Sequence, residues 1–135
     1  MTKKRVLLKI SGETFGKPYD REGPAFFASE IKSVSDTHEL VIVTGGGNIV
    51  RGSKLKKEFF RRNTMTADWM GMMAVVMNAI ALQDFLEHEY GLDTRVMSAL
   101  EVNKVCEPYY YKKAVSHLRK GRIVILAGGI GTPNF

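Results

Sequence analysis

The sequence predicts an α/β fold, a mostly parallel sheet with helices on both faces in a three-layer sandwich. Three observations predict it. Short apolar runs alternate with longer stretches of helical periodicity, in the order strand, helix, strand, helix, strand, helix, strand. The runs Val41-Ile42-Val43 and Ile123–Leu126 are apolar without alternation, as strands covered on both faces are. Three of the strand ends carry glycine, where such a sheet turns toward its helices and collects ligands. At 135 residues the chain fits one domain able to bury a core without disulfide or metal.

Each element has its own local reason. The basic start Lys3-Lys4-Arg5 followed by Val6-Leu7-Leu8 has the look of a secretory signal, but Lys9 interrupts the apolar stretch and no cleavage site follows. Val6–Ile10 therefore reads as the first strand. After a Ser11–Gly23 loop, Pro24 suits a helix start, and Phe26, Phe27, Ile31 and Val34 recur at helical spacing. Leu40–Thr44 is the second strand, stopped by Gly45-Gly46-Gly47. A long helix runs from near Thr66 to Tyr90, with one stripe of Met70, Met73, Met77, Ile80 and Phe85 and another of Trp69, Met72, Val76, Ala79 and Leu82. Apolar surface that wide is expected to be covered from two sides, by the sheet and by another subunit, with the methionines packed as core. Gly91 caps the helix. Thr94–Ala99, Tyr110–Arg119 and Ile123–Ala127 follow as strand, helix and strand, the last running into Gly128-Gly129. The chain then stops as another glycine loop opens, and the sequence looks cut there.

Composition excludes several classes. Hydrophobic and charged fractions of 44% and 25% do not suit a disordered chain. The longest apolar run, Met72–Met77, is far short of the ~18–20 residues that span a bilayer, so no membrane partner is expected. The single cysteine, Cys106, rules out an internal disulfide or a cysteine zinc site and suits the cytoplasm. His38, His88 and His117 lie apart, with surface placement the default and no metal site among them. The net charge of +6 points to anionic partners. Much of it lies in Arg51–Arg62, where six cations face only Glu58. With Phe59 and Phe60 this stretch reads either as a nucleic-acid patch or as a solvated helix face whose aromatics dock inward. Without a zinc-finger, helix-turn-helix or RNA-recognition signature, the second reading is preferred.

The chemistry gathers at the strand ends. Lys9-Ile10-Ser11-Gly12, Gly45-Gly46-Gly47-Asn48 and Gly128-Gly129-Ile130-Gly131 each offer backbone N–H groups that suit phosphate oxygens. Neither a Walker loop nor a dinucleotide glycine fingerprint occurs. Lys9, in an otherwise apolar strand, either snorkels out or meets an anion. Arg51 could bring a guanidinium fork to the same place or belong to the basic surface. Asp68, in the first turn of the long helix, either complements the helix dipole or accepts hydrogen bonds from sugar hydroxyls. Asn78, amid that apolar helix, requires a buried hydrogen-bond partner.

Leu7-Leu8-Lys9-Ile10-Ser11-Gly12-Glu13, Gly45–Gly52, Ala67-Asp68-Trp69-Met70-Gly71-Met72 and Ile123–Phe135 resemble, in order and spacing, the bacterial uridylate kinases of the amino acid kinase family. The resemblance runs from about Val6 to Phe135 and makes residues 1–135 the N-terminal, UMP-binding part of such a domain. It implies transfer of the ATP γ-phosphoryl group to UMP, giving UDP in pyrimidine biosynthesis, with Mg²⁺ on the nucleotide. It further implies that Lys9, Ile10, Ser11, Gly12, Gly47 and Arg51 belong to the ATP phosphate site, with Lys9 and Arg51 catalytic. Gly46 and Asp68 would hold UMP, and Ile130-Gly131-Thr132-Pro133-Asn134-Phe135 would open the loop around it. A homohexamer is implied as well. The family's Thr-Thr-Asp continuation and ATP-binding half do not occur within these residues, so the 135-residue chain alone is expected to be inactive. As it stands it could instead be a non-catalytic nucleotide-binding or assembly module. A kinase for another small acid, such as acetylglutamate, carbamate or isopentenyl phosphate, is a rival that Asp68-Trp69-Met70-Gly71-Met72 argues against.

Overall fold

The computed structural model describes residues 3–16, 19–60, 62, 64–129 and 131. Five strands form one sheet: β1 (Lys4–Ile10), β2 (His38–Thr44), β3 (Thr94–Ser98), β4 (Glu107–Pro108) and β5 (Ile123–Ala127). Their order across the sheet is β1-β2-β5-β3-β4, and every pairing is parallel. The helices are α1 (Glu22–Val34), α2 (Gly52–Glu58), α3 (Thr64–Tyr90) and α4 (Tyr111–Arg119), with a 3₁₀ turn at Gly12–Phe15. The predicted fold class holds. Sequence periodicity missed the 3₁₀ turn and β4, because neither is long enough to carry a period.

Strand alternation decides which helix covers which face. Ile10, Leu40, Ile42, Val96, Ile123 and Ile125 join Ala28 and Ile31 of α1 and Val76, Ala79, Leu82 and Leu86 of α3 in the larger core. Met97 and Val124 pack with Ala114 and Leu118 of α4, so α4 covers the other face. The two layers meet through the sheet, and β5, its middle strand, is apolar at every position. Near its C-terminal end α3 is tied to α1. The Tyr90 hydroxyl donates to the Ala25 carbonyl at 3.1 Å, and Lys32 donates to the Tyr90 carbonyl at 2.8 Å. Gly91, at φ 65°, closes α3 as predicted, its N–H donating to the Glu87 carbonyl at 3.2 Å.

Three sequence expectations need correction. The methionines are not all core: Met72 is buried, but Met70, Met73 and Met77 are exposed, Met73 by 57%. By length and composition α3 is sufficient to cross a membrane, although no uninterrupted apolar run is. Its buried residues pack instead in the sheet-facing core, as those of a central helix do. Phe59 does not dock inward; it is 73% exposed and stands edge-on to Phe60. Its α2 is too short to hold both rings against the core. His117 is buried, not on the surface. Arg122 reaches its Nδ1 at 3.2 Å and Glu107 its Nε2 at 2.8 Å. Since a guanidinium can only donate, Nδ1 accepts and Nε2 donates to Glu107, which joins β4 to the end of α4.

Asp93, just before β3, joins the same corner. Partial burial works against its charge, but hydrogen bonds from Arg95 and Arg122, together with their charges, hold its carboxyl below the ordinary value. A depressed carboxylate stabilises the fold above its unfolded value of about 3.9 and stops doing so as pH falls through the folded value. The stability difference between wild type and Asp93→Asn is therefore expected to be largest near neutral pH. It should close as the solution is acidified below about pH 4. Thermal melts across that range measure it, and a difference independent of pH would be the contrary result.

Candidate functional site

The parallel register brings the predicted loops side by side. Ile10 lies opposite Thr44, and the pairing runs one residue past the strands, where Gly45 N–H donates to the Ile10 carbonyl at 2.9 Å. The chain then turns out of both strands at once. A Cβ on Gly12 would lie 2.6 Å from the Gly47 nitrogen and 3.0 Å from the Gly45 carbonyl carbon. Neither neighbour is a side chain that could swing away, so the two loops stand in backbone contact. Gly46 is pressed onto α3, its notional Cβ 2.9 Å from that of Ala74. The third loop leaves β5, the next strand in the sheet, and Gly128 comes against Ser98 at the end of β3 and Leu100 just beyond it.

Ser11 caps the 3₁₀ turn, its Oγ accepting from Glu13 N–H at 3.3 Å. That turn aims Glu13 back across the glycines, where its carboxylate pairs with Arg51. Arg51 sits just ahead of α2, and its guanidinium lies within 3.9 Å of a notional Gly47 Cβ. A cavity of about 620 Å³ opens here, lined by Gly47, Arg51, Lys54, Leu55, Phe59 and Met70. Its size and apolar wall suit a small ligand, and among its lining residues two cations, Arg51 and Lys54, stand against one carboxylate, Glu58. Asp68, in the first turns of α3, pairs with Lys56 of α2 at 2.8 Å, its side chain 16% exposed.

The structure thus joins Ser11, Gly12, Gly46, Gly47 and Arg51 in one continuous site, with Asp68 reached across α2. Lys9 belongs to the end of β1, opposite Val43, and is exposed on the strand side that does not face α1 and α3. Among the described residues its ammonium group has no hydrogen bond or ion pair, while its backbone belongs to the β1–β2 ladder. Ile10 turns its side chain into the core, so only its backbone can belong to the site. Of the predicted acceptor loop, Gly131 is placed, its N–H donating to the Gly128 carbonyl at 3.0 Å. Ile130, Thr132, Pro133, Asn134 and Phe135 lie outside the described residues. Reading the sequence missed Glu13, Lys56 and Tyr19 as parts of this region. Their partners Arg51, Asp68 and Asn78 lie 38, 12 and 59 positions away, and no local spacing rule links them.

The sequence matches the amino acid kinase family over residues 4–135. It is 48% identical, over 97% of its length, to the uridylate kinase of Wolinella succinogenes, and spans 56% of that relative. Two crystal structures share its fold closely. The UMP kinase from Bacillus anthracis superposes with a TM-score of 0.88 at 35% identity, covering 98% of this chain and 55% of that one. The UMP kinase from Ureaplasma parvum gives 0.90 at 32% identity, covering 100% and 60% respectively. The chain therefore spans somewhat more than half the length of the relatives it matches.

The loop contact makes a paired prediction about stability. Gly12→Ala is expected to destabilise the fold by about 1–3 kcal/mol, because its methyl meets backbone. Gly71→Ala, inside α3 with nothing within 4 Å of a notional Cβ, should stabilise by about 0.5–1 kcal/mol. Urea melts of the two variants would read opposite signs; a tolerated Gly12→Ala would show that the loops can part.

Proposed function

The chain belongs to the amino acid kinase family, and from that premise we propose that it serves a uridylate kinase, transferring the γ-phosphoryl group of ATP to UMP. The observation that carries this reading is the pair of glycine loops in backbone contact at adjacent strand ends, with the Arg51 guanidinium beside them at the cavity. Phosphoryl transfer asks for alignment and for cations against a phosphate whose charge is shifting. No side chain has to attack: an oxygen of the UMP phosphate bonds to the γ-phosphorus as the bond to the ATP β-phosphate oxygen breaks.

In this reading the N–H groups around Gly12 and Gly47 face phosphate oxygens, and Lys9 neutralises the group in transfer. Arg51 shares its fork between Glu13 and a phosphate. Gly46 and Asp68 serve UMP, Asp68 through the ribose hydroxyls, and the loop from Ile130 to Phe135 encloses the acceptor. Among the described residues no cluster of three or more His, Cys, Asp and Glu could hold a metal. Mg²⁺ would then enter on the nucleotide phosphates, the usual arrangement for this ion. With UDP as product, we read the reaction as a step of pyrimidine nucleotide synthesis, carried out in the cytoplasm.

Assembly is part of the same proposal. Met65, Trp69, Met73 and Met77 recur every four residues on α3 and are all exposed, which makes an apolar stripe on the outer side of a core helix. We read it as the contact between copies in a homo-oligomer, a hexamer by family resemblance. Light scattering should find a species heavier than the monomer, and Met73→Lys should shift it toward the monomer. A strictly monomeric wild type would sink this part.

The substrate assignment is tested at Asp68. In a protein that also carries the ATP-binding half, Asp68→Asn should weaken UMP binding by roughly 1.5–3 kcal/mol, the worth of a hydrogen bond to a charged group, and more than it weakens ATP binding. Parallel calorimetric titrations with UMP and ATP decide it; equal losses for both nucleotides would remove the ribose role.

A further inference from the structure

Asn78 has no part in the chemistry described so far, yet it is completely buried in the run of α3 that also buries Val76, Ala79 and Leu82. A carboxamide in such a place costs solvation at every polar atom unless each is matched. Here each is. Its Nδ2 donates to the Gly45 carbonyl at 2.7 Å and to Asn48 Oδ1 at 2.7 Å. Its Oδ1 accepts from the Tyr19 hydroxyl at 2.8 Å and from Asn48 Nδ2 at 3.4 Å. Because a peptide carbonyl only accepts, the end of the amide that faces Gly45 is fixed as the donor.

The partners are not scattered. Gly45 and Asn48 bracket Gly46-Gly47, the two loop residues placed above against the nucleotides. Tyr19 lies between the 3₁₀ turn that carries Glu13 and the start of α1. A glycine run has the least intrinsic preference for one shape, so its conformation must be imposed from outside. α3 does this twice, with Ala74 packed under Gly46 and with the Asn78 amide bonded on both sides of the glycine pair. A residue needed only for volume at this depth would be apolar, since a buried amide adds nothing to packing that leucine would not.

We propose that Asn78 is a positioning residue that holds the Gly45–Asn48 loop in the shape that receives the acceptor nucleotide. Tyr19 sets the amide from the far side. The proposal rests on the uridylate-kinase reading only for the identity of the ligand. Asn78 acts through Gly45 and Asn48 and does not itself touch substrate.

Two variants and two measurements test it. Asn78→Asp keeps the volume and the acceptor for Tyr19 but removes both donors to the loop. Tyr19→Phe removes one hydroxyl and leaves those donors in place. Calorimetric titration with UMP, at a temperature where each variant is folded, should find affinity lowered about tenfold in Asn78→Asp and about threefold in Tyr19→Phe. Amide hydrogen exchange without ligand should accelerate at Gly46, Gly47 and Asn48 while the amides of β2 and β5 keep their wild-type rates. If Asn78→Asp does not fold, Tyr19→Phe carries both measurements. A merely structural Asn78 would lower the melting temperature and leave UMP affinity and loop exchange at wild-type values, and that result overturns the proposal. A wild-type chain that does not bind UMP would instead defeat the uridylate-kinase reading, and loop exchange would still decide the positioning role.

Discussion

Gly12 approaches Gly47 more closely than any side chain would allow, and the geometry of the site follows from that contact. It is the continuation of the β1–β2 register into the turns: the hydrogen bond from Gly45 to Ile10 holds the strands together up to the point where both chains leave the sheet. Two loops leaving adjacent parallel strands can lie flush only if neither carries a Cβ at the crossing. In the proposed reading this contact makes the sheet edge an anion cradle without a Walker loop.

The charges around the cradle are arranged so that they can be exchanged. Arg51 is held by Glu13, but both side chains are about half exposed, and an ion pair in that setting is worth no more than about 1 kcal/mol. In the proposed reading, a phosphate at Gly47 would take over the guanidinium with little loss. Lys56 and Asp68 form a more sheltered pair and join α2 to α3. Since α2 begins directly after Arg51, this pair also limits how far Arg51 can move. Glu13 and Lys56 thus place the two charged groups assigned to the nucleotides.

α3 is the common wall behind all of this. One side packs in the core beneath the sheet, supports Gly46 through Ala74 and bonds the loop through Asn78. Its other side carries the exposed methionines and Trp69. Both sides are apolar, which gives the helix the mean hydropathy of a membrane span although its sheet-facing residues are those of a core helix. The helix that shapes the glycine loop also bears the stripe proposed for self-association, so the two faces are parts of one rigid element.

The sequence by itself determined the fold class, the main strands and helices to within a few residues, and the glycine-bearing strand ends. These are local properties: periodicity, apolar runs and helix-stopping glycines are written into neighbouring residues. The resemblance carried by its motifs supplied a chemistry for Lys9, Arg51 and Asp68, and the structure brings Arg51 to the glycine loops with Asp68 one helix away. Tertiary structure decided the rest. Only it could show that His117 is buried, that Phe59 and the outer methionines are not, and that Glu13 meets Arg51 or Lys56 meets Asp68. It also turned the demand of Asn78 for a partner into a specific set of bonds to Gly45, Asn48 and Tyr19. The physical reason is the same in each case. Burial and charge pairing depend on which distant segments the sheet register brings together, and a residue's near neighbours in sequence carry no record of that.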